Sequence, residues 1–232
     1  MKAAQYIRII PKLVKYNIKI IFAGKFVWFI LAALFFLIFF MFQAAWDREE
    51  ITDELVYSLF MFPAALLVFY PSVFGIQNDG DARILELLFG IPNYKYKVWA
   101  VRLIIIYAAI FLILILFSYI TVILLYPVNP LEMSFQLMFP VLFYGNLAFM
   151  FSTITRNGNG TAVIMIVIAI LFIIINKDVY WNVLLNPFHL PRGMMSVIRE
   201  STVLKNRVFL LAGSIIWMMT GLMNLQKREK FL

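Results

Sequence analysis

The sequence contains no cysteine among its 232 residues. This absence excludes disulfides, thiolate metal sites and a cysteine nucleophile, and it leaves the redox compartment undetermined. Charge is also scarce, because charged residues make up 14% of the chain, against about 25% in an average soluble protein. The single histidine, His189, excludes sites built from several histidine ligands. Beside Pro187 and Pro191 we expect it to be an interfacial polar residue rather than a proton relay.

A nucleotide-binding loop is missing as well. The nearest approach to the phosphate-binding motif is Gly158-Asn159-Gly160-Thr161, which lacks the lysine that contacts the phosphates. Any use of ATP therefore requires another chain. No pair of carboxylates, histidine cluster or Ser-Lys or Ser-His dyad is visible at bilayer depth, so an enzyme is not expected.

What the chain does contain is apolar sequence, with 64% hydrophobic residues and a mean hydropathy of +0.92. A transmembrane helix needs about 20 such residues, so the chain has room for about six. We predict an all-α membrane protein with spans at residues 26–45, 55–76, 99–125, 134–154, 161–176 and 208–225. Kinks are expected at Pro63 and Pro71, and residues 177–207 are expected to hold short interfacial or re-entrant helices.

Few ionisable side chains fall inside these predicted spans. None contains Asp, Glu or Lys at mid-depth, and Arg102 is placed near an inner end where its side chain can snorkel. Ion-coupled transporters usually keep ionisable groups near the bilayer centre, so a proton-driven antiporter is disfavoured. We expect the remaining polar residues to form hydrogen bonds between helices; they are Ser118, Thr121, Asn146, Ser152 and Thr153.

The distribution of Lys and Arg predicts the orientation of the chain. Residues 1–25 separate basic from apolar residues on two helix faces and are predicted to form an amphipathic interfacial helix. Segments on that side of the bilayer carry fourteen Lys and Arg residues against six on the other side, which places both termini in the cytoplasm of a multi-pass cell-membrane protein. The net charge of +8 is then explained by anionic lipid rather than nucleic acid. The chain is one domain: residues 1–25, the bundle 26–225 and a basic tail, 226–232.

An acidic cluster follows the first predicted span. Carboxylates of this kind could bind a divalent cation, but the cluster lacks the alternate spacing and the glycine turn of a calcium loop. We expect a solvated outer loop without a metal. The residues are Asp47, Glu49, Glu50, Asp53 and Glu54.

The polar segment after the second predicted span, residues 77–98, contains a short amphipathic helix. Leu85, Leu88 and Phe89 share one face, whereas Arg83 and Glu86 lie on a more polar one. Such a helix can rest on the inner membrane face and fit the groove of a partner. It can equally be an ordinary interfacial loop helix.

This segment resembles the signature of the permease subunits of ABC transporters of the type-2 exporter class. The signature reads Gly-Thr-Leu-Glu-x-Leu-Leu-x-x-Pro, and it is matched here at Leu85, Glu86, Leu88 and Pro92, with Arg83-Ile84 in place of Gly-Thr and Phe89 in place of the second Leu. Asn186-Pro187 is similar to the Asn-Pro pair that those permeases carry before the last span.

The resemblance implies a transmembrane subunit that forms a homodimer or heterodimer and docks on cytoplasmic ATPase subunits, which hold ATP and magnesium. This chain would carry no cofactor. Its coupling helix would contact the ATPase through Arg83, Leu85, Glu86, Leu88 and Pro92, with Glu86 paired to a basic residue of the partner.

The chain contains 24 phenylalanines, and this aromatic content favours a hydrophobic substrate path. We therefore expect an exporter that moves a hydrophobic or amphipathic substrate outward, such as a lipid, a peptide or a drug-like molecule. The alternative is a membrane immunity or sensor module that binds a peptide or a lipid without transporting it.

Overall fold

The structure is a computed structural model that describes residues 25–47, 50–81, 95–175, 179–189 and 195–225. Within these ranges the regular elements are all helices, and no strand is present. Residues 1–24, 82–94 and 226–232 lie outside the described residues. They contain most of the predicted interfacial helix, the predicted coupling helix beyond Asp81, and the basic tail.

Seven α-helices make up the described chain. They are α1 (Phe26–Trp46), α2 (Asp53–Val73), α3 (Gly75–Asp81), α4 (Val101–Leu124), α5 (Pro130–Thr155), α6 (Gly158–Ile174) and α7 (Met195–Asn224). A π-helical turn, Lys95–Ala100, leads into α4.

Five helical stretches are long and apolar enough to cross a bilayer. These are Phe26–Trp46, Asp53–Asn78, Val98–Leu124, Pro130–Thr155 and Val197–Asn224. Helix α6 is also apolar but has 17 residues, which at 1.5 Å per residue extend about 25 Å, slightly less than a bilayer core of about 30 Å. The architecture is that of a multi-pass membrane protein.

Local sequence signals begin the central helices. Asn129 accepts hydrogen bonds from the amides of Leu131 (3.2 Å) and Glu132 (3.3 Å), and Pro130 occupies the first turn where its missing N–H costs nothing. Asn157 caps α6 in the same way. Between α5 and α6 the chain turns through Arg156, whose φ of 55° lies in the left-handed region. This two-residue connection lays α6 back along α5.

Helix α5 occupies the centre of the bundle, where it packs against α2, α4, α6 and α7. In the most apolar 18-residue stretch of α5, 67% of the residues are buried, whereas the corresponding share is 22% in α1, which lies at the periphery. The seam with α7 is close because Gly213 and Gly221 leave room for the rings of Phe143 and Phe149. Small residues at helix interfaces allow this approach in membranes, where dispersion contacts hold helices together.

The second and last predicted spans have different bounds in the structure. Helix α2 contains both Pro63 and Pro71 and ends at Val73, with a one-residue break at Phe74 before α3. The kinks expected at the two prolines stay a prediction. The expectation of short helices in residues 177–207 was wrong for its second half, because residues 195–207 belong to α7, a single helix of 30 residues. Three polar side chains of this part of α7, those of Arg199, Asn206 and Arg207, are buried with hydrogen-bond partners, as described below.

Candidate functional site

The five residues predicted to contact an ATPase lie outside the described residues. They are Arg83, Leu85, Glu86, Leu88 and Pro92. Their role therefore remains a prediction. The structure does describe the two points at which residues 82–94 join the bundle, and these are called the two stems below.

The first stem is α3, which is held tightly against α5 and α6. Gln77 accepts a hydrogen bond from the backbone amide of Gly158 at 2.6 Å through its Oε1 atom. A Cβ on Gly158 would stand 2.2 Å from the ring of Phe74, so only glycine permits this contact. The Ser152 hydroxyl donates to the Val73 carbonyl at 2.9 Å. These contacts join the end of α2 and helix α3 to the end of α5 and the start of α6.

The second stem is the start of α4. The ring of Trp99 is buried, and its centroid lies 5.7 Å from that of Phe149 on α5. The guanidinium carbon of Arg102 lies 5.0 Å from the Trp99 ring centroid, a cation–π distance. Arg102 was expected to snorkel toward the surface, but it is buried inside the bundle. Its aromatic neighbour offers a favourable electrostatic contact that membrane lipid does not.

A polar cluster joins three segments at the opposite end of the bundle. Asn186 donates from Nδ2 to the Glu54 carbonyl at 2.7 Å and to the Ser58 hydroxyl at 3.2 Å. The Asn186 carbonyl in turn accepts from the Arg199 guanidinium, and His189 Nδ1 lies 2.8 Å from both carboxylate oxygens of Glu54. The cluster attaches residues 179–189 to the first turns of α2 and α7.

The acidic residues near this cluster do not assemble into a metal site in the described chain. Asp47, Glu50, Asp53 and Glu54 are described, whereas Glu49 is not. No group of three or more potential His, Asp or Glu ligands comes together among the described residues. Glu54 instead contacts His189, and both side chains are about half exposed.

Sequence reasoning missed a buried arginine in α7. Arg207 is 6% exposed. It donates to Gln136 Oε1 (3.0 Å), Asn206 Oδ1 (3.0 Å) and the Tyr57 hydroxyl (3.4 Å), and it lies 5.0 Å from the Phe139 ring centroid. No carboxylate pairs with it within the described ranges. Neutral acceptors and an aromatic ring thus hold a positive charge between α2, α5 and α7.

The sequence carries a signal for the continuity of α7, although not for the burial of Arg207. Apolar residues recur at helical spacing through the polar stretch and continue into the predicted last span, which indicates that one helix covers both. The exposed members of this stripe are Val197, Ile198, Leu204, Val208 and Leu211.

The expected hydrogen bonds between helices are confirmed deeper in the bundle. Asn146 on α5 is 3% exposed. Its Oδ1 accepts from the Tyr107 hydroxyl at 2.8 Å, and its Nδ2 donates to the Ser214 hydroxyl at 2.7 Å. The hydroxyls of Ser118 and Ser134 lie 3.3 Å apart. These contacts link α4, α5 and α7.

Thr121 and Thr153 also bridge helices. Thr121 lies 3.8 Å from the Met41 sulfur on α1, and Thr153 accepts from Asn224 on α7 at 3.4 Å.

An apolar cleft of about 510 Å³ opens between α2, α5 and α6. Its walls are residues between positions 58 and 69 on α2, 140 and 148 on α5, and 165 and 173 on α6, completed by Phe29 and Leu184. Among the described residues, no acidic or basic side chain lines it, and the only side-chain oxygens are the hydroxyls of Ser58 and Tyr144. Such a cleft suits a hydrocarbon chain.

The cleft has two different ends. Ser58 and Leu184 lie at one end, which we call the mouth, beside the Asn186 cluster. Phe69, Ala148 and Met165 lie at the other end, toward the stems. None of these residues was singled out by the sequence, because the cleft exists only where separate helices leave a gap.

No family model matches the sequence, and no curated protein or solved structure was found to match it.

Proposed function

We propose that this chain is the permease subunit of an ABC exporter that moves a hydrophobic or amphipathic substrate outward across the cell membrane. It would cross the membrane six times, with both termini in the cytoplasm. It would form a dimer, and ATP hydrolysis by separate ATPase subunits would drive transport. The proposal combines the signature resemblance at residues 83–92 with the contacts of the two stems.

The position of α6 supports six crossings. Its first residue, Gly158, contacts Gln77 beyond the end of α2. The carbonyl of Ile175, just past its last turn, accepts from Asn182 at 3.1 Å, four positions before Asn186, which contacts Glu54 at the start of α2. The two ends of α6 therefore lie near opposite ends of α2, a helix long enough to span.

The observation that carries the proposal is the rigid attachment of residues 82–94 at both ends. One stem is fixed to α6 through Gln77 and Gly158, and the other is fixed to α5 through Trp99 and Phe149. A partner that displaced this segment would pull on α2 and α4 together, because buried contacts couple rigid elements. Helix α2 also forms one wall of the cleft, so the same displacement would change the cleft.

The composition of the cleft supports the substrate class. Because no acidic or basic side chain of the described residues lines it, its two hydroxyls cannot replace the hydration of a sugar or an ion, whose burial would cost several kcal/mol. A molecule with a large apolar part avoids this cost.

Co-purification with an ATPase tests the proposal. The neighbouring reading frames are searched for a phosphate-binding loop, the full chain is expressed with any ATPase subunit found there, and assembly and ATP turnover of the complex are measured. Glu86→Arg is expected to abolish both, because it replaces the carboxylate predicted to pair with the ATPase by a like charge. Glu50→Arg, at the opposite end of the bundle, is the matched control and should change neither.

If assembly and ATP turnover are unchanged in Glu86→Arg, Glu86 does not contribute to the interface with the ATPase. Full ligand binding by a chain that never associates with an ATPase would favour the immunity or sensor module instead.

A further inference from the structure

We propose that the cleft between α2, α5 and α6 binds the alkyl chain of a cationic amphiphile, whose head group lies at the mouth beside Glu54. This inference names the substrate class of the proposed exporter and so rests on that function. The binding itself can be measured without any ATPase.

The length and the lining of the cleft suit an extended alkyl chain. Along α2 it extends from residue 58 to residue 69, which corresponds to about 16 Å of helix. Among the described residues, the lining along this length is apolar apart from the hydroxyls of Ser58 and Tyr144.

The lining excludes water as the normal occupant. Ordered water needs two to four polar partners, and in the part of the chain that the structure describes the cleft offers only the side-chain hydroxyls of Ser58 and Tyr144. The Ser58 hydroxyl is already bonded to the Glu54 carbonyl at 3.1 Å and to Asn186. An alkyl chain from the surrounding membrane fills such a space without losing hydrogen bonds.

The mouth supplies the charge that selects the head group. Ser58 lies one helical turn from Glu54, whose carboxylate is 45% exposed and can accept further hydrogen bonds. Asp53 and Glu50 precede it at the same end of α2 and are also exposed. Among the described residues, Arg199 also lies at this end, but it is buried and donates to the Asn186 carbonyl. An ammonium group at the mouth would therefore meet carboxylates in water-accessible positions.

Photolabelling of the purified full chain in phosphatidylcholine nanodiscs tests this inference. The probe is hexadecylamine with a diazirine on its terminal carbon, and mass spectrometry locates the labelled peptides. We expect saturable labelling of the peptides that contain Ala148 and Met165. Unlabelled hexadecylamine should halve the labelling at a concentration about ten-fold lower than hexadecanoic acid requires, which corresponds to about ten-fold higher affinity.

Single-residue variants distinguish labelling inside the cleft from labelling on the lipid-facing surface. Ala169→Trp on α6 and Ala65→Trp on α2 would each fill the cleft from one wall, and both should lower saturable labelling about ten-fold. Ala108→Trp, on the exposed face of α4, is the matched control and should leave it unchanged. Glu54→Gln should weaken competition by hexadecylamine but not by hexadecanol, because it removes only the charge.

Labelling that does not saturate, or that persists in both tryptophan variants, would overturn the binding site. Equal competition by hexadecanoic acid would overturn the assignment of a cationic head group. If saturable labelling is absent while Glu86→Arg still uncouples the ATPase, the cleft proposal fails and the exporter proposal stands.

Discussion

Replacement of Asn146 by leucine should destabilise the bundle, because the Asn146 side chain bonds to both α4 and α7. Two side-chain hydrogen bonds are lost, to Tyr107 and Ser214. Measured hydrogen bonds between helices in membranes average about 0.6 kcal/mol and reach about 1.7 kcal/mol. Two such bonds correspond to about 1 to 3 kcal/mol. Ser214 keeps its bond to the Leu142 carbonyl at 3.2 Å, whereas the Tyr107 hydroxyl loses its partner.

The assay is reversible unfolding of the purified chain in mixed micelles, with a double-mutant cycle of Asn146→Leu and Tyr107→Phe. We expect a coupling free energy of about 0.6 kcal/mol between the two sites. Asn159→Leu is the matched control, because Asn159 is exposed and should change stability by less than about 0.5 kcal/mol. A coupling free energy of zero, or wild-type stability for Asn146→Leu, would show that the two side chains do not interact as described.

Two further predictions follow from close packing and from the absence of cysteine. Gly221→Ala should cost about 1 to 3 kcal/mol, because the new Cβ would stand 2.7 Å from the Phe149 ring. Gly160→Ala should be tolerated, because its new Cβ would stand 4.0 Å from the Cβ of Asn157. Equal stability of both variants in thermal unfolding would contradict the α5–α7 packing. In a chain without native cysteine, Glu50→Cys should react with a membrane-impermeant maleimide added outside intact cells, and Glu86→Cys only after permeabilisation. The reverse pattern would invert the topology.

The positions of the long helices could be predicted from the sequence because each must present a continuous apolar surface. The first predicted span, 26–45, agrees with Phe26–Trp46. The fourth, predicted from residue 134, begins at Pro130, because Asn129 and Pro130 form an N-terminal cap that was interpreted as part of a turn. The residues expected to contact an ATPase lie outside the described residues, so their role stays a prediction from the sequence.

The start of the last helix could not be read from polarity alone. Arg199, Asn206 and Arg207 were interpreted as marks of an interfacial segment, since charged residues are costly inside a membrane. Each has acceptors on other parts of the chain, including the Asn186 carbonyl, the Tyr180 carbonyl and Gln136. Their burial depends on partners between one and 150 positions away along the chain, which no local pattern reveals.

Composition and the spacing of apolar residues by themselves determined that this is an all-helical, multi-pass membrane protein, because hydrocarbon admits only long apolar helices with internally bonded backbones. Tertiary structure alone decided which polar residues are buried and where a cleft opens. Both depend on the contacts and gaps between helices that are distant in the chain. The polarity of a cavity is set by the side chains of the different helices that line it.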